Sequence, residues 1–287
     1  MKKMKLFDEN LARGLEKYNS VRQDDFEMFE KIVTSSEIRF LHSRDFLEDA
    51  FSNLDETSQY HIKKELINDP NKSKKTINEL IVGSYLANLG YKVEYDKNIN
   101  GQTPDWWVQD SDSNDLFFLD VRTQEVRSSS NAEFYKSSSS RKQFDDAIEK
   151  VNKYDEIIVN KKIPFLLALV SDWVVGIEMQ KLAVSYYSFI LNIDDKNYGY
   201  LEQVGENESF DKPYFKIGSD LYIELEEDEE EGVFKKTHLS GILDVKVNPF
   251  NYYEVSLTLN PNAEFKVSGE MFPNTELKEV YEVFRID

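Results

Sequence analysis

The spacing of apolar residues predicts a helix followed by a β-hairpin in the first half of the chain. Apolar residues recur every three or four positions over residues 74–89, and Gly90 then supplies a C-terminal stop, which is typical of an amphipathic helix. Three runs rich in strand-forming residues follow, at 91–95, 104–108 and 116–123. A cluster of Ser, Asp and Asn separates the last two runs, so we expect them to pair as a hairpin.

The same patterns divide the chain into three segments. Residues 1–70 carry apolar residues at helical spacing and predict a helical N-terminal segment, residues 71–191 form a core, and residues 192–287 form a mixed α+β extension. The expected fold class is therefore α/β (α+β), with a mixed central sheet flanked by helices and a β-rich C-terminal part. Further helices are predicted at 141–154 and 176–191, and further strands at 163–170, 218–225, 238–247 and 252–259.

Three carboxylates occupy positions that this arrangement brings together. Glu79 lies inside the first predicted core helix, Asp105 begins one hairpin strand, and Asp120 lies near the end of the other. Antiparallel pairing places Asp105 and Asp120 at the same end of the sheet, and packing of the helix adds Glu79. Carboxylates gathered in a partly buried place repel one another unless a cation neutralises them, and hard oxygen ligands suit Mg²⁺ or Mn²⁺.

The order of Glu79, Pro104-Asp105 and an apolar strand ending in Asp120-Val121-Arg122 resembles the PD-(D/E)XK nuclease superfamily, whose fold is restriction endonuclease-like. The resemblance covers roughly residues 74–170. It implies that Asp105 and Asp120 bind the metal, that Glu79 assists as the helical acid, and that Val121 donates a backbone carbonyl. The implied activity is metal-dependent hydrolysis of phosphodiester bonds.

Arg122 departs from the family pattern, because a Lys usually stands at this position. A guanidinium stays protonated at physiological pH, so Arg122 can brace a phosphate but cannot act as a general base. Two alternatives are open. Lys150, on the helix predicted at 141–154, can replace the missing lysine, or a metal-bound water needs no side-chain base.

Composition narrows the function classes. The chain has no Cys, which excludes disulfides, thiolate nucleophiles and zinc-thiolate sites, and its three His residues are scattered. It has no apolar run of about 18 residues and no signal-peptide pattern, so we expect a cytoplasmic protein without membrane contact. The net charge of −19 argues against a broad DNA-gripping face. The acidic run Glu224–Glu231 predicts a solvated loop, a docking site for a basic partner, or a guard over the protein's own cleft.

Together with the three carboxylates, the resemblance implies a metal-dependent endonuclease of restriction, repair or anti-phage defence, acting on DNA in preference to RNA. The alternative is a degenerate nuclease fold that serves as a non-catalytic binding or assembly subunit, which Arg122 and the acidity favour. The resemblance also permits an ATPase as a protein partner, because defence systems often pair such a subunit with one. This chain has no GxxxxGK[ST] motif, so any nucleotide-driven step would need another protein.

Overall fold

The computed structural model describes residues 4–18, 23–123, 150–172, 238–248, 252–260 and 263–278. Within these ranges the chain forms six α-helices and seven strands, with both antiparallel and parallel strand pairs, so the predicted mixed α/β class is confirmed. The helix predicted at 176–191, the strand at 218–225, the acidic run at 224–231 and residues 141–149 of the helix predicted at 141–154 lie outside the described residues. The remainder of that helix, residues 150–154, is a 3₁₀ turn. The segment boundaries at 70 and 191 stay predictions.

The chain falls into two compact units, residues 1–123 with 247–254 and residues 124–246 with 255–287. The first unit begins with four helices, which confirm the helical character predicted for residues 1–70. Asp8 and Asp55 cap the N-termini of the first and fourth of these helices, because their side chains accept hydrogen bonds from backbone N–H groups of the first turn. The helices are α1 (Glu9–Glu16), α2 (Asp24–Thr34), α3 (Ile38–Ser52) and α4 (Glu56–Asn68).

The next helix, α5 (Ser73–Asn88), confirms the helix predicted over 74–89. Two residues after the last helical residue, Gly90 turns the chain away with a φ of 93°, a left-handed conformation that glycine adopts without strain. The helix is buried on nearly all sides between residues 78 and 86, because α3, α4 and the adjoining strands all pack against it. The amphipathic expectation was therefore wrong for this stretch, and polar side chains such as Glu79 lie inside the unit.

Three antiparallel strands complete this part of the first unit, namely β1 (Lys92–Tyr95), β2 (Trp106–Gln109) and β3 (Asp115–Thr123). The β2–β3 pair is the predicted hairpin, and its register places Trp106 opposite Leu119. Trp106 packs against α5 at Gly83, where no side chain separates the ring from the helix, and its indole N–H donates to the backbone oxygen of Glu79 at 2.9 Å. These two contacts of Trp106 fix the position of the hairpin against α5.

The second unit contains strands that the apolar runs predicted. They are β4 (Phe165–Asp172), β5 (Leu239–Asn248) and β6 (Tyr252–Leu259), of which residues 247–248 and 252–254 belong to the first unit. A short strand that was not predicted, β7 (Glu276–Lys278), runs parallel to β6. The helix α6 (Asp155–Lys161) follows a 3₁₀ turn at Lys150–Tyr154 and was not predicted. It forms because Ile157 and Ile158 are buried and two acids occupy its first turn.

Candidate functional site

The β2–β3 hairpin brings Asp105 and Asp120 together. The backbone N–H of Asp105 lies 3.4 Å from Asp120 Oδ1, and the backbone N–H of Val121 donates to Asp105 Oδ2 at 2.6 Å. Both side chains are buried. The register of the hairpin explains this closeness, because the pair Trp106 and Leu119 puts the preceding and following residues side by side at the strand ends.

Glu79 enters the same place from α5. Its side chain is fully buried, and its Oε2 accepts a hydrogen bond of 2.6 Å from the hydroxyl of Tyr95 on β1. The same hydroxyl lies 2.7 Å from Glu65 Oε2 on α4. Tyr95 pairs with Trp106, the residue after Asp105, and the Trp106 indole N–H donates to the backbone oxygen of Glu79, so the helix places Glu79 beside the same end of the hairpin. We define Glu79, Asp105 and Asp120 as the acidic cluster.

The pKa values of Asp105 and Glu79 lie above their ordinary values, so the charged forms of both side chains are disfavoured in the acidic cluster. Burial raises the pKa of Asp105 well above its ordinary value, and the charges of Glu79 and Asp120 raise it further. Burial also raises the pKa of Glu79, although Lys75 and Tyr95 favour its charged form. The acidic cluster therefore resists full ionisation unless positive charge stands beside it.

Two cations of the chain supply part of that charge. Arg122 Nη2 lies 2.6 Å from Asp120 Oδ2, and Lys75 Nζ lies 2.7 Å from Glu79 Oε1. Burial lowers the pKa of Lys75, but attraction to Glu79 and Asp105 outweighs this, so its pKa lies above the ordinary value. Lys75 is thus a fixed positive charge at the edge of the acidic cluster.

Sequence reasoning missed Lys75; it offered Lys150 as one of two answers to the absent lysine, the other being a metal-bound water that needs no side-chain base. The structure places Lys150 at the start of a 3₁₀ turn in the second unit, and its side chain lies outside the described residues. The signal for Lys75 was present, because a Lys four residues before a Glu shares its helix face. Sequence reasoning overlooked it because Glu79 was considered without the residues that share its helix face.

Asn78 and Tyr95 are two further residues that sequence reasoning missed. The Asn78 amide donates to Thr123 Oγ1 at 3.0 Å and so ties α5 to the end of β3. Tyr95 was read only as a strand former, yet its hydroxyl holds Glu79. Neither role has a sequence signature, since each depends on which face of β3 or β1 meets the helix.

The donor chemistry of the acidic cluster suits Mg²⁺ or Mn²⁺, since its side-chain donors are all carboxylate oxygens and their mutual repulsion favours a divalent cation. In their present positions, however, Asp120 Oδ2 faces Arg122 and Glu79 Oε1 faces Lys75. Across the part of the chain that the structure describes, no three His, Asp or Glu side chains are arranged to hold one metal ion. To hold one metal ion together, the three carboxylates would have to change their positions.

Trp106 and Trp107 both belong to the core. Each is fully buried; Trp107 stacks on Phe118 and donates its indole N–H to Asp115 at 2.8 Å. Both rings are therefore packed in the core, and neither is accessible for stacking on a nucleic-acid base. None of the described helices has the length and apolar character needed to cross a bilayer.

Comparison with protein-family models, with curated proteins and with solved structures finds no match to this chain. The resemblance to the PD-(D/E)XK nucleases therefore depends on Glu79, Asp105, Asp120 and the elements that carry them.

Proposed function

We propose that this protein is a metal-dependent nuclease that hydrolyses phosphodiester bonds in nucleic acid, with DNA preferred to RNA. The observation that carries the proposal is the meeting of Glu79, Asp105 and Asp120, from a helix and two strands, in one buried place. Burying like charges costs free energy, and such clusters with perturbed pKa values are concentrated at functional sites.

Each residue of the cluster has a role in this proposal. Asp105 and Asp120 offer carboxylate oxygens, Glu79 offers a third, and the carbonyl of Val121 is the implied backbone donor. Arg122 holds Asp120 in place and presents positive charge to a phosphate, while Tyr95 fixes the orientation of Glu79. A bound Mg²⁺ would supply Lewis acidity and an activated water.

The test is incubation of plasmid DNA and of RNA with the full chain in Mg²⁺ or Mn²⁺. Asp105→Asn and Asp120→Asn remove charge with little change of shape, and we expect each to lower cleavage by more than about 100-fold. Asp112→Asn, in the exposed β2–β3 turn, is the matched control and should cleave like the wild type. Metal-dependent cleavage that persists in both cluster variants would reject the assigned site.

A second candidate function is a non-catalytic binding or assembly subunit. It is favoured by one specific observation, namely that Lys75 and Arg122 already pair with Glu79 and Asp120. Its partners would be those expected from the sequence, a nucleic acid, an ATPase or a basic protein docking on Glu224–Glu231. Calorimetric titration with Mn²⁺ separates the two functions, because a non-catalytic subunit is expected to show no Mn²⁺ binding that depends on Asp105 and Asp120.

A further inference from the structure

His238 lies between two carboxylates in the second unit. Its Nδ1 is 2.7 Å from Oδ1 of Asp155, the first residue of α6, and its Nε2 is 3.3 Å from Oε2 of Glu264, in the segment that follows β6. His238 itself directly precedes β5, and all three residues belong to the second unit. One imidazole ring therefore connects α6, the start of β5 and the segment after β6, which are far apart along the chain.

The protonated ring is the form that suits both carboxylates. A neutral imidazole has one N–H group and one lone pair, so it donates to one carboxylate and turns its lone pair towards the other. The imidazolium carries an N–H on each nitrogen and a positive charge that attracts both neighbours. Histidine is the side chain that ordinarily changes its charge between about pH 5 and pH 8, so the contact is expected to weaken as the pH rises through this range.

The charged groups around the ring do not offset this change. Within the part of the chain that the structure describes, Asp155 and Glu264 are the charged groups within ion-pair distance of the ring. The next charged residues on their two segments, Glu156 and Lys266, are exposed, and the first charged residue on β5, Asp244, is six positions from the ring along the chain. Loss of the proton therefore leaves two carboxylates beside an uncharged ring.

The connection between β5 and the segment after β6 has further hydrogen bonds that do not depend on pH. Asn260 Nδ2 donates to the backbone oxygen of Leu239 at 2.7 Å, and Ser240 Oγ donates to the backbone oxygen of Phe265 at 2.6 Å. These groups are uncharged, so both bonds persist when the ring loses its proton. The contact with α6 is made through the Asp155 carboxylate, and α6 is therefore the element whose attachment responds to the charge of the ring.

We propose that His238, Asp155 and Glu264 form a pH-sensitive contact that holds the start of α6 against β5 in mildly acidic conditions and releases it in alkaline conditions. The stabilisation is present while the ring is protonated and is lost as the ring gives up its proton. This inference goes beyond the proposed nuclease function and does not depend on it, because none of the three residues belongs to the acidic cluster.

The experiment is hydrogen exchange of the full chain at about pH 5.5 and about pH 8, with each rate corrected for the intrinsic exchange rate at that pH. In the wild type we expect the backbone amides of α6 to be protected about threefold more strongly at the lower pH, the size of effect that a partly exposed ion pair gives. His238→Gln keeps a polar side chain without a titrating charge, so its α6 should be equally protected at both pH values.

His42→Gln, at an exposed position on α3, is the matched control and should keep the wild-type pH dependence. The Asp155 and Glu264 side chains are 47% and 51% exposed, so Asp155→Asn and Glu264→Gln provide the test even where His238→Gln does not fold, and each should reduce the difference between the two pH values. Equal protection of α6 at both pH values in the wild type would overturn the inference. A pH dependence like that of the control in the His238 variant, or in both carboxylate variants, would overturn it as well.

Discussion

Replacing Gly83 with alanine is expected to destabilise the first unit and to disturb the acidic cluster at the same time. A Cβ added at Gly83 would lie 2.1 Å from Trp106 Cζ2 and 2.4 Å from Cε2 and Cη2. Ordinary contacts between carbon atoms are about 3.5–4.0 Å, so the ring or the helix has to move by about 1.5 Å. Trp106 is fully buried and hydrogen-bonded to Glu79, and it directly follows Asp105.

The expected change in the free energy of unfolding combines two destabilising contributions and one stabilising contribution. Overpacking of a filled core costs about 1–3 kcal/mol, and loss of the indole hydrogen bond costs about 0.5–1.5 kcal/mol. Exchange of glycine for alanine inside a helix returns up to about 1 kcal/mol. We therefore expect Gly83→Ala to lower the free energy of unfolding by about 1–3 kcal/mol, which corresponds to a fall in Tm of about 3–10 °C.

The assay is thermal and guanidinium unfolding, followed by Mn²⁺ titration of the folded variant. Gly269→Ala is the matched control, because its new Cβ meets Cδ1 of Leu277 at 2.5 Å, and this end of a leucine side chain that is 47% exposed can turn towards solvent at little cost. We expect its stability to change by less than about 0.5 kcal/mol. If Gly83→Ala melts at or above the wild-type temperature, the contact of Trp106 with α5 does not hold the cluster in position.

Substitutions at three residues test the site itself. Asp105→Asn should stabilise the metal-free protein at neutral pH by about 1 kcal/mol, because it removes a buried charge and keeps an oxygen for the Val121 N–H; thermal unfolding in EDTA measures this. Tyr95→Phe should cost about 1–3 kcal/mol in guanidinium unfolding, since it deprives buried Glu79 of a hydrogen-bond donor. Arg122→Lys keeps the positive charge and should retain most plasmid cleavage, whereas Arg122→Ala should lose at least about tenfold.

Each of these expectations has an outcome that contradicts it. An Asp105→Asn protein that melts below the wild type would show that the carboxylate stabilises the fold. Exposed Tyr60 provides the control for Tyr95, and equal stability of Tyr60→Phe and Tyr95→Phe would show that the Glu79 contact contributes nothing. Cleavage by Arg122→Ala at the wild-type rate would remove Arg122 from the site.

The local elements were decided by sequence. The spacing of apolar residues and the Gly90 stop specify α5, and the alternating runs with their turn specify the hairpin, because both patterns arise from the geometry of neighbouring residues. The closeness of Asp105 and Asp120 could also be predicted from the sequence, because the turn that joins two hairpin strands sets their register. By contrast, the apolar pair that anchors α6 is too short for periodicity to separate from a strand.

Only the tertiary structure decided the surroundings of the carboxylates. Glu79 resembles a solvated helix residue in the sequence, and it becomes buried because α3, α4 and the strands cover α5. Its partners come from its own helix, at Lys75, and from β1, at Tyr95. Burial and charge pairing depend on contacts between segments that are distant along the chain, and no local pattern encodes which side of a helix such a segment will cover.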